Sequence, residues 1–255
     1  MSFMAVAYVP AFLEDRSQYV KEHHNGLYGA TELIVSNFLI GVPYLCMYAS
    51  SNLVFDHSIL PYVIKLSDLM LTIDVHTVLI SVLSSVISYF LINLRPGAAA
   101  FFTWVMWLFL NLLAAESLVV FFSSLFPSFV ASLALVAFAN GLWMSVGGFL
   151  VQPTILNVFY LYVFHYWDYQ KWVFEGMMVN EFATRVYECA RSTDSENSCN
   201  CMWQTELAGQ CQIAGQGVLD QYGYRPGHMG RNVGIMLAII FGYRVAAWLM
   251  LKLRK

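Results

Sequence analysis

The chain has 255 residues, of which 59% are hydrophobic and 11% are charged. Soluble globular domains carry more than twice that share of charged residues, so the composition excludes a water-soluble globule and indicates a membrane protein. The net charge of −3 comes from 13 Lys and Arg against 16 Asp and Glu, which excludes the basic surface that binds nucleic acid.

The N-terminal region combines a short apolar segment with a charged one. Residues 1–11 are too short to cross a membrane and lack the features of a secretion signal, so we interpret them as the end of a helix. Residues 12–26 hold the densest cluster of charges and finish at Asn25-Gly26, a turn signal. This pattern predicts a loop or a surface helix at the membrane face.

Long apolar stretches follow, each able to cross the hydrocarbon layer as an α-helix. They predict spans within residues 33–55, 78–94, 98–126, 129–151 and 233–251. Gly41 and Pro43 interrupt the first stretch, which therefore either spans or enters the membrane and stops. If residues 33–94 cross once in total, the charged residues 12–26 are cytoplasmic, and if they cross twice, those residues are outside.

Residues 152–231 separate the last two spans and begin with an aromatic stretch, FYLYVFHYWDYQKW. Mixed Tyr and Trp residues are typical of the boundary between water and lipid, so this stretch is predicted to lie at the surface or to re-enter the membrane. Lys252, Arg254 and Lys255 follow the final span and mark the cytoplasmic side. Residues 152–231 are therefore predicted to be extracellular.

Four of the five cysteines lie in this extracellular segment: Cys189, Cys199, Cys201 and Cys211. An oxidising compartment favours two disulfides, and the sequence leaves all three connectivities open. The alternative is a zinc site, but only one residue separates Cys199 from Cys201 and no histidine lies within the cluster. The histidines elsewhere also lack the spacing of metal ligands, so we expect no metal site.

A family resemblance extends over most of the chain. It rests on FLEDRSQYVKEHHNGLYGA, SYFLINLRPGAAAFF, AAESLVVFFSSLFPSF, ANGLWMSVGGFLVQP and CMWQTELAGQCQIAGQGVLDQYGY. These stretches resemble the permease half of the G subfamily of ABC transporters, the White and multidrug-resistance type, and most closely its fungal members. The resemblance implies an all-α membrane protein with the type-2 ABC exporter permease bundle, truncated to about four transmembrane helices and a remnant of a fifth.

The chain departs from the family pattern in two ways. It contains no G-x-x-x-x-G-K-[ST] phosphate loop, so we expect ATP and magnesium to bind on a partner ATP-binding domain that this chain lacks. Residues 46–77 also have no counterpart in the family. We interpret them as foreign to the fold, through a retained intron or a gene-model error, with a true inserted loop as the alternative.

The resemblance implies a cytoplasmic coupling segment at residues 12–32, which presses on the ATP-binding domain. Its coupling residues are Glu14, Arg16, Glu22 and Tyr28. The alternative is a solvated charged turn that anchors the end of a helix.

The resemblance also implies a transport pathway and gate on the helix predicted at 129–151. The pathway residues are Gly141, Met144, Phe149 and Leu150, and the last two form the gate. Gly147 and Gly148 permit close approach of helices, Met adapts to varied ligands, and a bulky apolar pair can seal a pore. Ordinary helix packing around the two glycines is the alternative.

Two ionisable residues, Glu116 and Arg244, lie within apolar stretches. A charge in the hydrocarbon layer is costly, so such side chains usually face protein, water or a partner. We interpret Glu116 as structural, bonded to Ser117, Ser123 or a neighbouring helix, with a proton relay as the alternative. Arg244 is a candidate counter-ion, or its side chain extends to the inner face of the membrane.

The resemblance predicts the transmembrane part of an ATP-driven exporter of amphipathic small molecules or lipids. It would work at the plasma membrane with a second permease half, as a homodimer or heterodimer, and without catalytic residues of its own. The alternatives are a non-transporting fragment and a regulatory subunit of a full transporter. A membrane enzyme is a further alternative, and it would require a bound metal.

Overall fold

The computed structural model describes residues 6, 8–36, 86–153, 155–191, 199–202 and 206–253 of the chain. Most of these residues are helical, as the composition predicts. The helices are α1 (Tyr8–His24), α2 (residues 30–36), α3 (residues 86–91), α4 (Ala98–Leu125), α5 (Phe129–Val146), α6 (Val158–Tyr160), α7 (Tyr169–Phe182), α8 (Gly215–Tyr222) and α9 (Met229–Leu253). A π-helical turn, Leu161–His165, follows α6, and a 3₁₀ turn, Ala208–Gln210, precedes α8.

Three helices among the described residues are long and apolar enough to cross a membrane: α4, α5 and α9. The apolar window of α4 is 67% buried within the protein, against 28% for α5 and 22% for α9. α4 is therefore the most enclosed of the three, and α5 and α9 leave more of their apolar surface exposed. Residues 37–55 of the first predicted span, residues 78–85 of the second and the whole predicted insert at 46–77 lie outside the described residues. The described part of the second span, residues 86–94, begins with α3.

Helix α5 ends at Val146, earlier than the sequence predicted. Gly148 adopts a φ of +96°, in the left-handed region that residues with a side chain rarely enter, and this breaks the helix. The prediction that Phe149 and Leu150 lie on this helix is therefore wrong, because both residues come after the helix has ended. Helix α9, by contrast, begins earlier than predicted, at Met229 rather than at 233.

The segment predicted to be extracellular is held together, where it is described, by two strand pairs and two disulfides. Antiparallel pairs join β1 (Val186–Glu188) to β4 (Gln212–Ala214) and β2 (Ala190–Arg191) to β3 (Cys199–Asn200). Disulfides join Cys189 to Cys201 and Cys199 to Cys211. The structure confirms the predicted disulfides and selects one of the three connectivities. All four sulfur atoms are paired with one another, which excludes the zinc alternative for these cysteines.

The chain divides into two compact units. The first combines residues 1–86, as far as they are described, with 112–138 and 240–255, and the second combines 87–111 with 139–239. Because boundaries fall within α4, α5 and α9, each of these three helices contributes residues to both units.

Each unit has its own buried core. In the first unit, the core cluster is formed by Phe12, Tyr19, Ile34, Val120, Ala247 and Leu251. In the second, Trp107 of α4 is fully buried and lies against Gly176 of α7, where a methyl group would come within 2.1 Å of the indole ring.

Candidate functional site

The predicted coupling segment forms an amphipathic helix, α1, and the turn that follows it. Its buried residues, Val9, Phe12, Arg16 and Tyr19, recur at intervals of three and four and so lie on one face. That face packs against one residue of α2, one of α4 and two of α9: Ile34, Val120, Ala247 and Leu251. Of the two forms that the sequence allowed, a loop or a surface helix, the structure has the helix.

The four predicted coupling residues have different surroundings. Glu14 is exposed on α1, whereas Glu22 and Tyr28 are half-buried. Arg16 is only 9% exposed and belongs to the packed face of the helix. The structure therefore brings Glu22 and Tyr28 together but places Arg16 on a different face from Glu14.

The turn between α1 and α2 is fixed by polar contacts. A hydrogen bond to the Glu22 carboxylate is the main cause that raises the pKa of Tyr28 to about 12, and burial adds to it. His23 Nδ1 lies 3.0 Å from the backbone oxygen of Tyr28. The N–H of Gly29 donates to Glu32 Oε2 over 2.7 Å, which caps the start of α2.

Glu116 and Arg244 meet within the first unit. Arg244 Nη2 donates to Glu116 Oε1 over 2.9 Å, and the exposed fractions of the two side chains are 3% for Arg244 and 16% for Glu116. Arg244 Nε donates to Ser117 Oγ over 3.1 Å, and the Ser117 hydroxyl donates to the Leu113 carbonyl over 2.8 Å. Both charges are thus paired within the protein, on α4 and α9.

Ser123, which the sequence offered as a partner for Glu116, has a different contact. Its hydroxyl lies 2.8 Å from the hydroxyl of Ser132 on α5, and both serines are fully buried. This contact joins the end of α4 to the start of α5.

The predicted pathway residues fall into two groups. Gly141 and Met144 lie almost one turn apart on α5, and Met144 is 36% exposed. Beyond the helix end, Phe149 and Leu150 are 62% and 58% exposed. The Phe149 ring contacts the Phe174 ring of α7 edge to face, with 5.8 Å between the ring centroids.

Several buried polar contacts of the second unit were not predicted. Tyr169 donates its hydroxyl hydrogen to Asn140 Oδ1 over 2.6 Å, and both residues are fully buried. Asn232 Nδ2 donates to Glu175 Oε1 over 3.0 Å. These contacts join α7 to α5 and to α9 in this unit.

Glu181, at the end of α7, is the centre of a second unpredicted cluster. Its carboxylate accepts hydrogen bonds from the Arg95 backbone N–H at 2.8 Å, from Arg185 Nη1 at 2.6 Å and from the Tyr187 hydroxyl at 2.8 Å. The Arg95 turn is thereby attached to α7.

Across the described ranges, no three His, Cys, Asp or Glu residues converge on a possible metal position.

Two family models match the chain in succession. The first, described as ABC-2 type transporter, matches residues 66–182, and the second, described as CDR ABC transporter, matches residues 187–255. The chain is a permease domain of the ABC transporter G family. The match to the ABC-2 type transporter family begins at residue 66, within the segment 46–77 that was predicted to be foreign to the fold.

Curated relatives of the permease domain are G-family members from plants and other eukaryotes. ABC transporter G family member 11 of Arabidopsis thaliana is 24% identical over 99% of this chain and 29% of its own length. ABC transporter G family member 1 of Petunia hybrida is 28% identical over 71% of this chain and 24% of its own length. ABC transporter G family member 8 of Arabidopsis thaliana is 25% identical over 95% of this chain and 34% of its own length. The permease domain thus spans about a third or less of the curated relatives that it matches.

Sequence signals existed for some of the polar residues that were missed. Asp168 precedes an apolar-periodic stretch, as an N-cap does, and its Oδ1 accepts the Gln170 N–H over 2.8 Å. Glu175 and Glu181 are two acids in α7, whose other residues are largely apolar. Acids in such a helix are a signal for buried side chains with polar partners. Their partners Asn232 and Arg95 are too far away in sequence to be inferred without the fold.

Proposed function

We propose that this permease domain is the transmembrane part of an ATP-driven exporter, which moves amphipathic small molecules or lipids across the plasma membrane. It acts as one of two permease halves, each working with an ATP-binding domain. ATP and magnesium bind on that domain, since this chain contains no phosphate loop, and no covalent step is assigned to its residues. The observation that carries the proposal is helix α1, whose outer face is polar and whose inner face is packed on α4 and α9.

Helix α1 can transmit a push from an ATP-binding domain to the membrane helices. Closure of such a domain does work on a permease only through an element that touches both. Glu14 lies on the exposed side of α1, while Phe12 is fully buried against the helices beneath. Removal of a buried Phe side chain costs about 3–5 kcal/mol, so the packing of Phe12 ties α1 firmly to its neighbours. A push on the outer face of α1 would therefore also move the ends of α4 and α9 on which it packs.

The ion pair of Glu116 and Arg244 supports concerted movement of α4 and α9. Separating the two side chains would leave a charge in a mostly buried site, which is strongly unfavourable. The full engagement of Glu116 with Arg244 favours its structural role over a proton relay.

The pathway proposed for the substrate runs along Gly141 and Met144 of α5 to the pair Phe149 and Leu150. The thioether of Met144 adapts to ligands of varied shape, which suits amphipathic molecules. Phe149 and Leu150 present large apolar surfaces beyond the helix end, so contact between these pairs from two permease halves would exclude water and close the pathway.

Photo-crosslinking tests the proposed contact with the ATP-binding domain. A photoreactive phenylalanine at position 14, on the exposed side of α1, is expected to crosslink to an ATP-binding G-family partner in intact membranes. The matched control is position 202 in the extracellular segment, where Met202 is 86% exposed but should meet no ATP-binding domain. Equal crosslinking at both positions, or none at position 14, would contradict the proposal.

A further inference from the structure

The chain bends at Gly147 and Gly148, directly after α5, and these two residues are called the bend. A hydrogen bond to the last residue of α5 holds the chain just before it. Val146 is the last residue of α5, so its carbonyl is one of those left without a partner in the helix. His165 Nδ1 lies 2.6 Å from this oxygen, and the His165 side chain is buried in the π-helical turn. A carbonyl oxygen can only accept, so Nδ1 carries the hydrogen and donates it. His165 thereby supplies the missing partner at the end of α5.

A buried carboxylate lies against the first glycine of the bend. A methyl group on Gly147 would lie 2.6 Å from Asp168 Oδ2 and 2.9 Å from the Trp143 backbone oxygen. Asp168 is fully buried, and its other oxygen accepts the Gln170 N–H at the start of α7. The carboxylate is therefore fixed in place, and the backbone at Gly147 passes close to it.

A buried hydroxyl lies against the second glycine. A methyl group on Gly148 would lie 2.7 Å from the Tyr224 hydroxyl oxygen, and Tyr224 is 4% exposed. The Tyr224 ring contacts Phe174 edge to face, with centroids 6.2 Å apart, and Phe174 in turn contacts Phe149. The residues of the bend are therefore enclosed between the π-helical turn, the start of α7 and Tyr224.

These contacts matter because the bend has little regular structure of its own. The Gly147 N–H still bonds to the Trp143 oxygen over 2.8 Å, but Phe149 and Leu150 are more than half exposed. Their position therefore depends on what holds Val146, Gly147 and Gly148, with the contact between the Phe149 and Phe174 rings as the added packing.

We propose that His165 is a positioning residue for the gate: its hydrogen bond to the Val146 carbonyl, with Asp168 and Tyr224 as flanking walls, sets the position of Phe149 and Leu150. The positioning is a property of this chain alone, whereas the word gate rests on the proposed transport function. His165 touches no substrate in this assignment and acts only through the backbone at the end of α5.

Two substitutions at position 165 separate the hydrogen bond from the bulk of the side chain. Asn places an amide N–H donor close to where Nδ1 lies, so His165→Asn should keep the bond to the Val146 oxygen. In His165→Leu the new side chain has a similar reach but is apolar and has no donor. This substitution therefore leaves the Val146 carbonyl without the partner that His165 supplies.

The readout is the distance between the bend and α7, measured without transport. Phe149→Cys and Phe174→Cys are introduced into the full chain with Cys46→Ser, and a short bifunctional thiol reagent joins them, with intact mass as the measure. His165→Leu should lower the crosslinked fraction about fivefold, and His165→Asn should leave it within about twofold of the parent. Equal crosslinking in the Leu variant and the parent, or equal losses in Leu and Asn, would overturn the proposal.

A second pair of variants keeps the test decisive if His165→Leu does not fold. Gly147→Ala should displace the bend through contact with Asp168 and lower the crosslinked fraction. Gly230→Ala, where a methyl group meets nothing within 4 Å, should leave it unchanged. An unchanged fraction in Gly147→Ala would count against the enclosed bend. If the crosslinks follow this pattern while ATP-driven uptake is absent from the parent as well, the positioning role stands and the proposed transport function fails.

Discussion

Arg244 in α9 donates to the carboxylate of Glu116 in α4 over 2.9 Å, although 128 residues separate them in the sequence. Both residues lie in helices long and apolar enough to cross a membrane, where an unpaired charge is costly. The pairing explains how one acid and one base are tolerated in these helices.

The ion pair should be more sensitive to single than to double substitution. Glu116→Leu leaves the Arg244 charge without its partner, so we expect a loss of about 3–5 kcal/mol in the free energy of unfolding. Glu116→Leu combined with Arg244→Met removes both charges and should recover much of that loss. The free energies of unfolding of the two single variants, Glu116→Leu and Arg244→Met, and of the double variant are measured on purified protein in mixed micelles. A double variant whose loss equals the sum of the two single losses would argue against the ion pair.

The packed face of α1 should dominate its contribution to stability. Phe12→Ala empties a fully buried site and is expected to cost about 3–5 kcal/mol. Gln18→Ala, on the exposed side of the same helix, should change the free energy of unfolding by less than about 0.5 kcal/mol. The two variants are compared by thermal unfolding, and limited proteolysis within residues 8–24 gives a local measure of how firmly α1 is packed. Similar effects of the two substitutions would mean that α1 does not pack on its neighbours as described.

Gly176 should tolerate no side chain. A methyl group there would lie 2.1 Å from the Trp107 ring, so Gly176→Ala should overpack the core and cost about 1–3 kcal/mol. The matched control is Gly234→Ala in α9, where a methyl group meets nothing within 4 Å and the helix should gain about 0.5–1 kcal/mol. A stable Gly176→Ala protein would show that Trp107 does not lie against α7.

The hydrogen bond between Tyr28 and Glu22 predicts a tyrosine that ionises late. The pKa of Tyr28 is raised from its ordinary value of 10.0 to about 12, chiefly by this bond. Because the folded pKa is the higher one, the contribution to stability is complete below pH 10 and is lost as the pH rises towards about 12. Difference absorbance between the parent and Tyr28→Phe measures this ionisation, and Glu22→Gln should lower the pKa. An unchanged pKa in Glu22→Gln would exclude the bond as its cause.

The two disulfides should appear in peptide maps of unreduced protein. We expect Cys189 linked to Cys201 and Cys199 linked to Cys211. Each closes a loop between cysteines 12 residues apart, for which the chain-entropy relation gives a stabilisation of about 3 kcal/mol. Cys189→Ser with Cys201→Ser should lower the unfolding temperature and leave the other disulfide intact; maps that link Cys189 to Cys211 would contradict this connectivity.

Sequence patterns sufficed where a single local property decides the structure. Uninterrupted apolar length predicted the helices at Ala98–Leu125, Phe129–Val146 and Met229–Leu253, and the enrichment of cysteines in one polar segment predicted disulfides. Their boundaries were less accurate, because the end of α5 is set by the left-handed conformation of Gly148 rather than by hydropathy.

Features that depend on tertiary contacts were beyond the sequence patterns. The burial of Arg16 follows from the face that α1 turns toward its neighbours, which the charge pattern of residues 12–26 does not reveal. Glu181 is hydrogen-bonded to Arg95 and Tyr187, which lie on different elements. The choice among the three disulfide connectivities likewise depends on which cysteines the fold brings together. The coupling and gate residues were identified through the family resemblance, and their roles remain proposals.

The most direct test of the account is ATP-dependent uptake into inside-out vesicles that contain this chain and an ATP-binding G-family partner. The probes are a fluorescent amphipathic cation and a short-chain fluorescent phospholipid. We predict vanadate-sensitive uptake of at least one probe that requires both proteins and that falls when Glu14 is replaced by Lys, with the partner still hydrolysing ATP. Uptake that is the same with and without this chain, or that this chain drives alone without any ATP-binding partner, would contradict the account.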